Sequence, residues 1–583
     1  LIDNLKVDVM KQIVNILSVI IKGEFPLKRL QNLKYKKMKI LINKIGVVVL
    51  AIILFTSCSE DVLNENPPNI LAGQTVFTDL AGFEAGLNGI YNIARHGRWQ
   101  SEKLENAMNG TDNMCSNYRR SDIFWNWGSA NSPSDDDLLQ TFNWLYEIVN
   151  ASNTILYYAD DEGIDWTGGS DTPEGNKLRV IAEARALRGW AYRRLAYSWG
   201  DVPLTTELET SIKTDWTRTP VAQVRQQAIS DYIFAQQYIP TEASLQGRMT
   251  KGAVQTLLAE MYLTINKPDS ALFWANQAIN NPAYELITER YGVKKDDPTG
   301  SPFGDMFKEG NQNREQGNTE ALWVFQFELN STDGQGHEWS RALVGRYNEY
   351  VINGVRAIQY TYDRGGRGKA YFGATKWWID SYEPQDDRDQ NYIMRKFFIL
   401  KDASENAPYP ADFLPEGYSY GDTIWLDWSE EITKSHRSVP NWPYSRKGEG
   451  TDPDNMQADF AWNDQIYIRL ADTYLLKAEA QYKLGQLNEA ANTINAIRLR
   501  SDATPISAAD VNIDLILDER SRELFGEEER RNTLLRTHKW LERTYLYNKF
   551  GGELIAPRDT LFPIPQDVID ANLTGDFPQN PGW

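Results

Sequence analysis

The side chains in this sequence best suited to chemistry are its tryptophans, 19 in 583 residues. A helical core of this size does not need so many, which places some of them at the surface. A saccharide presents apolar C–H faces and a rim of hydroxyls, so the protein surface that fits it is an exposed flat ring with a few carboxylates and amides beside it. The candidates lie where turn-forming residues interrupt the chain. Trp99 follows a helix end expected at Gly97, Trp125 and Trp127 would share one face of an extended segment, and Trp339 and Trp378 sit in irregular sequence. Asp112 and Asn113 are the expected polar partners of this group. Trp144, Trp190 and Trp274 fall inside periodic helical segments and read as scaffold.

Patterns for bond-breaking chemistry are sparse. The four histidines, His96, His337, His436 and His538, include no H-E-x-x-H pair, which excludes the common zinc hydrolase arrangement. Gly368-Lys369 lacks the remaining glycine and the hydroxyl residue of a phosphate loop. Asp135 to Asp137 and the group Asp386, Asp387 and Asp389 lack the graded spacing and glycine of an EF-hand, and read as solvated acidic loops. The reading is a non-catalytic binding protein with no cofactor and no metal. The competing class is a glycoside hydrolase with two acidic residues, permitted by the many carboxylates but supported by no motif. A third reading keeps the scaffold and makes the ligand a peptide or host glycoprotein.

Cys58 places the protein. It follows the apolar run Ile45 to Phe55 and the small residues Thr56 and Ser57, with Lys34, Lys36, Lys37, Lys39 and Lys44 upstream, the anatomy of a lipoprotein signal peptide. The apolar run is much shorter than the roughly 20 residues a membrane-crossing helix needs. Residues 1–37 read as an overlong gene start, 38–57 as the signal peptide, and Cys58 as the lipidated first residue of a single large domain, 58–583. Multiple acyl chains on that cysteine would hold the domain stably at a membrane. Beyond residue 57 the chain has 51 basic and 77 acidic residues, a net charge of −26, which repels phosphate backbones and excludes nucleic acid as a partner. Cys115, the other cysteine, reads as a small buried residue.

The elements that must carry these residues are mainly α-helical. Apolar residues recur at helical spacing over Phe83 to Ile93, Phe142 to Tyr158 and Leu178 to Trp199, the last stopped by Gly200, Asp201 and Pro203. Ala259, Ala271, Ala275 and Ala278 have the same mutual offsets as Ala478, Ala490, Ile494 and Ile497. Each set brackets a turn, at Lys267-Pro268 and at Gly485. Small residues at matching positions of two helices mark tetratricopeptide-like hairpins. The domain thus divides into an N-terminal helical part (58–280), a loop-rich, aromatic-rich insert (281–464) that would carry the ligand, and a C-terminal helical part (465–583).

In this order the segments resemble the SusD/RagB family of nutrient-uptake outer-membrane lipoproteins. The resemblance runs over LAGFEAGLNGIYN at Leu80 to Asn92, IAEARALRGWAYRRLAYSWGDVPL at Ile181 to Leu204 and GRMTKGAVQTLLAEMYL at Gly247 to Leu263. It continues through Arg469 to Arg500, the arginine-rich helix around Asp518 to Arg531, Phe562-Pro-Ile-Pro565 and the closing Gln579 to Trp583. The sequence departs where the family often reads Glu-Gly-x-Arg and this chain has Glu-Glu-Glu-Arg at Glu527 to Arg530. The resemblance implies a surface-exposed, lipid-anchored protein that captures a glycan or other nutrient and acts as a lid on a SusC-like TonB-dependent transporter. Ser59, Glu60 and Asp61 look like the acidic export signal of such lipoproteins.

Overall fold

The structure, a computed structural model, describes residues 73–99, 107–116, 127, 131–331, 336–403, 410–432, 440–452 and 454–583, apart from the side chains of Gln74, Arg98 and Trp99. Cys58 with its flanking segments, and Trp125, lie outside the described residues. From Gly73 to Trp583 the chain forms one compact, mainly helical unit. Eleven of its described helices have seven or more residues: α1 Leu80–Trp99, α2 Asp136–Tyr158, α3 Pro173–Trp199, α4 Val221–Tyr238, α5 Lys251–Thr264, α6 Pro268–Ile279, α7 Leu470–Lys483, α8 Leu487–Arg500, α9 Ile513–Leu524, α10 Arg530–Arg536 and α11 Trp540–Tyr547.

Local chemistry sets the helix ends. Asp135 caps α2 by accepting from the Leu138 amide at 3.0 Å, and Thr172 caps α3 by accepting from Gly175 at 3.1 Å, with Pro173 opening the helix. Gly200 closes α3 with φ +72°, a conformation that favours glycine. Helix α4 buries Val224, Ala228, Tyr232 and Ala235 and packs on α3. The approach is close at Gly189, where a Cβ would stand 3.2 Å from the Ala228 carbonyl oxygen. The two hairpins form where the alanine spacing puts them, α5 with α6 and α7 with α8. They also pack on each other, since Ala259, Leu263, Ala271 and Ala275 share a buried cluster with Leu476 and Ala480.

Between residues 281 and 464 no described helix exceeds five residues. Strand Ala321–Phe325 pairs antiparallel with Gln465–Arg469, which leads directly into α7. Strand Met114–Ser116 pairs with Phe372–Ala374. Each strand draws on a distant part of the sequence, so the irregular chain is stitched to the helices at both ends.

The arginine-rich segment is not one helix from Asp518 to Arg531. Helix α9 ends at Leu524, and Phe525 to Glu529 turn outside helical geometry with Gly526 at φ +80° before α10 begins. A Cβ at Gly526 would meet the Trp339 ring at 2.8 Å, so the break is also a close approach to the irregular chain. It brings Glu527, Glu528 and Glu529, all buried, into a charge network. Glu527 meets Arg469 at 2.5 Å and Lys447 at 2.6 Å, Glu528 meets Arg520 at 2.8 Å and Arg530 at 2.9 Å, and Glu529 meets Arg193 at 2.8 Å and also Arg194. One turn back, Glu523 meets Arg469 at 2.6 Å, Arg388 at 2.9 Å and Arg500. Glu320, beside its strand, joins Arg469 at 2.6 Å and Arg500 at 2.7 Å. Buried charges are tolerated only when paired, and removing one partner of such a set costs about 3–5 kcal/mol. Arg469→Met leaves the carboxylates of Glu320, Glu523 and Glu527 short of a cation. Urea unfolding should show a loss in that range, and a loss below about 1 kcal/mol would contradict a network that supports the fold.

Candidate functional site

Most of the described residues singled out in the sequence as a stacking surface are core residues. Trp127 is fully buried and packs edge-on against Trp540, with ring centroids 5.4 Å apart. Trp339 is buried beneath Gly448 and Gly526, where added Cβ atoms would meet its ring at 2.7 and 2.8 Å. Trp378 stacks on Phe525 at 3.9 Å and donates its indole N–H to the Ser521 carbonyl at 3.0 Å. Asp112, also buried, is clamped by Arg530 and Arg543 at 2.7 Å each, and these cations outweigh burial and hold its carboxyl below the usual range. Asn113 donates to Ser521 at 2.9 Å. Asp112, Asn113 and Trp127 tie the N-terminal part, and Trp339 and Trp378 the irregular chain, to the C-terminal part, and none of the five is a surface group. Turn-rich sequence marks where the chain bends, but burial of a large indole decides where the ring goes. Asp386 is likewise not solvated: it is buried and paired with Arg388 at 2.7 Å. Among the described residues no three His, Cys, Asp or Glu side chains converge as a metal site.

A concavity of about 510 Å³ with many polar lining groups lies on the C-terminal half of α1. Asn88, Asn92 and Arg95 recur at helical spacing and line it. Facing them are Gln246 to Arg248, the end of strand Ala321–Phe325 with the following residues Gln326 to Glu328, and Asp464 just before its partner strand. Trp99 stands one turn beyond Arg95 in the same helix.

The polar groups hold one another in place. Arg95 donates to Asn92 Oδ1 at 2.6 Å and to the Gln326 carbonyl at 3.0 Å, with its guanidinium 5.5 Å from the Phe327 ring centroid. Arg248 donates to Asn88 Oδ1 at 2.7 Å and pairs with Glu84 at 2.5 Å. Burial alone would depress the Arg248 guanidinium, but Glu183, the Tyr91 hydroxyl and Glu84 outweigh it and raise its pKa. Gln326 donates to Asn313 Oδ1 at 2.7 Å, Asn313 donates to Asp464 Oδ2 at 2.6 Å, and Asp464 Oδ1 accepts the Phe327 amide at 2.8 Å. Gly247 adopts φ +85°, and a Cβ there would meet Gln326 at 2.9 Å, so the wall can approach only at a glycine. The result is a preorganised set of amides, guanidinium groups and a carboxylate, the donors and acceptors that several hydroxyls require. The Asn88, Asn92, Arg95 stripe is visible in the sequence as polar residues on one helix face; its convergence with residues 246–248, 326–328 and 464 is not.

A second cavity, about 530 Å³, has the opposite character. Its floor is the apolar stripe Leu139, Phe142, Tyr146 and Val149 of α2.

Burial pushes the Asp464 carboxyl up to about 6, with Glu309 and Glu315 adding to the rise and the Phe327 and Asn313 hydrogen bonds opposing it. Because the folded value lies above the ordinary 3.8, the native state holds an extra proton between the two, and stability falls as pH rises through that window. Relative to Asp464→Asn, the wild type should therefore lose stability between about pH 4 and pH 6 and level off above it, as followed by urea unfolding. A difference that is flat with pH would contradict this placement of the carboxyl.

Comparison with known proteins adds independent weight. Residues 319–583 match a family profile described as "SusD family", and residues 62–263 match one described as "Starch-binding associating with outer membrane". SusD-like protein P25 of Formosa agariphila is 23% identical over 571 residues, covering 91% of this chain and 97% of its own. The starch-binding protein SusD of Bacteroides thetaiotaomicron is 33% identical over 130 residues, 22% of this chain and 23% of its own. A solved structure named as a laminarin-binding SusD-like protein superposes with a TM-score of 0.61 at 21% identity, covering 86% of this chain and 99% of its own.

Proposed function

The chain belongs to the SusD/RagB family, and from that premise we propose that it is a non-catalytic cell-surface lipoprotein that binds an oligosaccharide or polysaccharide and hands it to a SusC-like TonB-dependent transporter. The observation that carries the glycan reading is the cleft on α1, where Asn88, Asn92, Arg95, Gln246 and Gln326 turn amide and guanidinium groups toward one open volume. Relatives whose names state starch or laminarin binding support the same ligand class. In this reading Trp99, one turn beyond Arg95 in α1, and Trp125 provide the stacking faces that the buried tryptophans do not. Cys58 carries the lipid that keeps the domain at the outer membrane, so the helical hairpins are available as the surface that meets the transporter.

The test is retention of the purified protein on gels containing starch, laminarin or other polysaccharides, run together with an assay for new reducing ends. Retention without sugar release is expected, with Trp99→Ala and Gln326→Ala each weakening it at least tenfold. Cys58→Ala should free the protein from the membrane and leave retention intact. Release of reducing ends would establish a hydrolase instead, and retention unchanged in both cleft variants would remove the cleft from the account.

A further inference from the structure

The apolar cavity beside α2 has a lining of its own. Leu139, Phe142, Tyr146 and Val149 form its floor, Pro203, Thr205, Glu209, Lys213 and Trp216 one wall, and Val568, Ala571, Asn572 and Phe577 the other. These three parts are distant in sequence, yet hydrogen bonds hold them apart at fixed spacing. The Tyr146 hydroxyl donates to the Pro203 carbonyl at 2.6 Å, tying floor to first wall. Asn572 ties the walls together, accepting the Trp216 amide at 2.6 Å through Oδ1 and donating to the Trp216 carbonyl at 3.0 Å through Nδ2. The Thr574 amide adds a bond to the Thr214 carbonyl at 3.1 Å. Of the floor residues, Phe142 and Val149 are buried, while Leu139 and Tyr146 are half-buried and border the open volume. These hydrogen bonds brace the walls on either side of the floor.

We propose that this cleft binds a small amphiphile in which a flat apolar ring is joined to a hydroxyl-bearing part, the chemistry of an aryl glycoside. The half-buried rings of Tyr146 and Trp216 border the cleft and offer apolar surface to such a ring, and ring-on-ring contact is favourable beyond the area it buries. Polar groups stand at the rim. Asn143 and Asn150 are exposed on α2, two turns apart and flanking the apolar stripe, and Lys213 lies with its ammonium 4.3 Å from the Trp216 ring centroid. Glu209 and Asp567 complete the rim. Size agrees as well. A cavity of about 150 Å³ accommodates benzene, so about 530 Å³ takes a ring together with a sugar-sized substituent, within the range of ligand pockets. The polar cleft on α1 shares no lining residue with this one, so the proposal does not rest on the polysaccharide reading.

The probe is 4-methylumbelliferyl β-D-glucoside, titrated into the full chain and followed by its own fluorescence, with methyl β-D-glucoside as the ligand that lacks the aromatic ring. Saturable binding of the aryl compound is expected, with the methyl compound at least tenfold weaker. Trp216→Ala should weaken the aryl compound at least tenfold. Ala571→Trp, at an exposed position of the second wall, should do the same by filling the cleft, and it decides the matter if Trp216→Ala fails to fold. Polysaccharide retention should not change in Ala571→Trp, which separates this site from the one on α1. Absence of saturable aryl binding, equal binding of the two glucosides, or affinity unchanged in Ala571→Trp would each overturn the proposal.

Discussion

Charge buried without water has to be paired, and in this protein that requirement organises the fold. Glu523 is the centre of the arrangement: it projects from α9 and receives Arg388 from the irregular chain, Arg469 from the strand leading into α7, and Arg500 from the end of α8. Burial opposes ionisation of Glu523, yet Arg500, Arg469 and Arg388 outweigh it and hold its carboxyl far below the usual range. Such a cluster yields little net energy compared with an apolar core, because desolvation offsets most of the attraction. What it imposes is geometry. Each guanidinium has a planar set of donors that is satisfied in few orientations, so segments far apart in sequence must arrive together or leave charges exposed to a low-dielectric interior.

The polar cleft inherits its position from that arrangement. Arg469 and Glu320 flank the paired strands Ala321–Phe325 and Gln465–Arg469, whose other ends supply Gln326, Phe327 and Asp464 to the cleft. The hydrogen bond from Arg95 to the Gln326 carbonyl then joins this strand end to α1, while that from the Phe327 amide to Asp464 ties the ends of the two strands together. A ligand site with side chains already fixed by their own hydrogen bonds loses less entropy on binding than one that must be ordered. The network, the strand pair and the cleft thus form one line of support, from the C-terminal helices to the N-terminal helix.

Sequence patterns revealed the scaffold far better than the site. Helices α1, α2 and α3 and both hairpins follow from apolar periodicity and matched alanines, because burial against neighbouring helices obeys a local rule. The segment from Asp518 to Arg531, a single helix in the resemblance, is interrupted where Gly526 takes a positive φ and Glu527 to Glu529 pair with buried cations. The tryptophans failed for a related reason. Trp127, Trp339 and Trp378 lie in turn-rich sequence, but long-range partners such as Trp540 and Phe525 draw them inward, and no local pattern records a partner hundreds of residues away. Asp112 shows the same effect, since its two arginines lie more than 400 positions further along the chain. The run Glu527 to Glu529, where this chain departs from the family pattern, proved to be a hub of paired charges rather than an isolated change.

The buried charges hold the strand pair that carries the cleft, and do not merely add stability everywhere. Amide hydrogen exchange on Glu523→Gln compared with the wild type tests it most directly, since exchange reports opening segment by segment. Protection should fall selectively over Ala321 to Phe327 and Gln465 to Arg469 while helices α5 and α6 exchange as before. Uniform loss across the whole molecule, or unchanged protection in the strand pair, would contradict it.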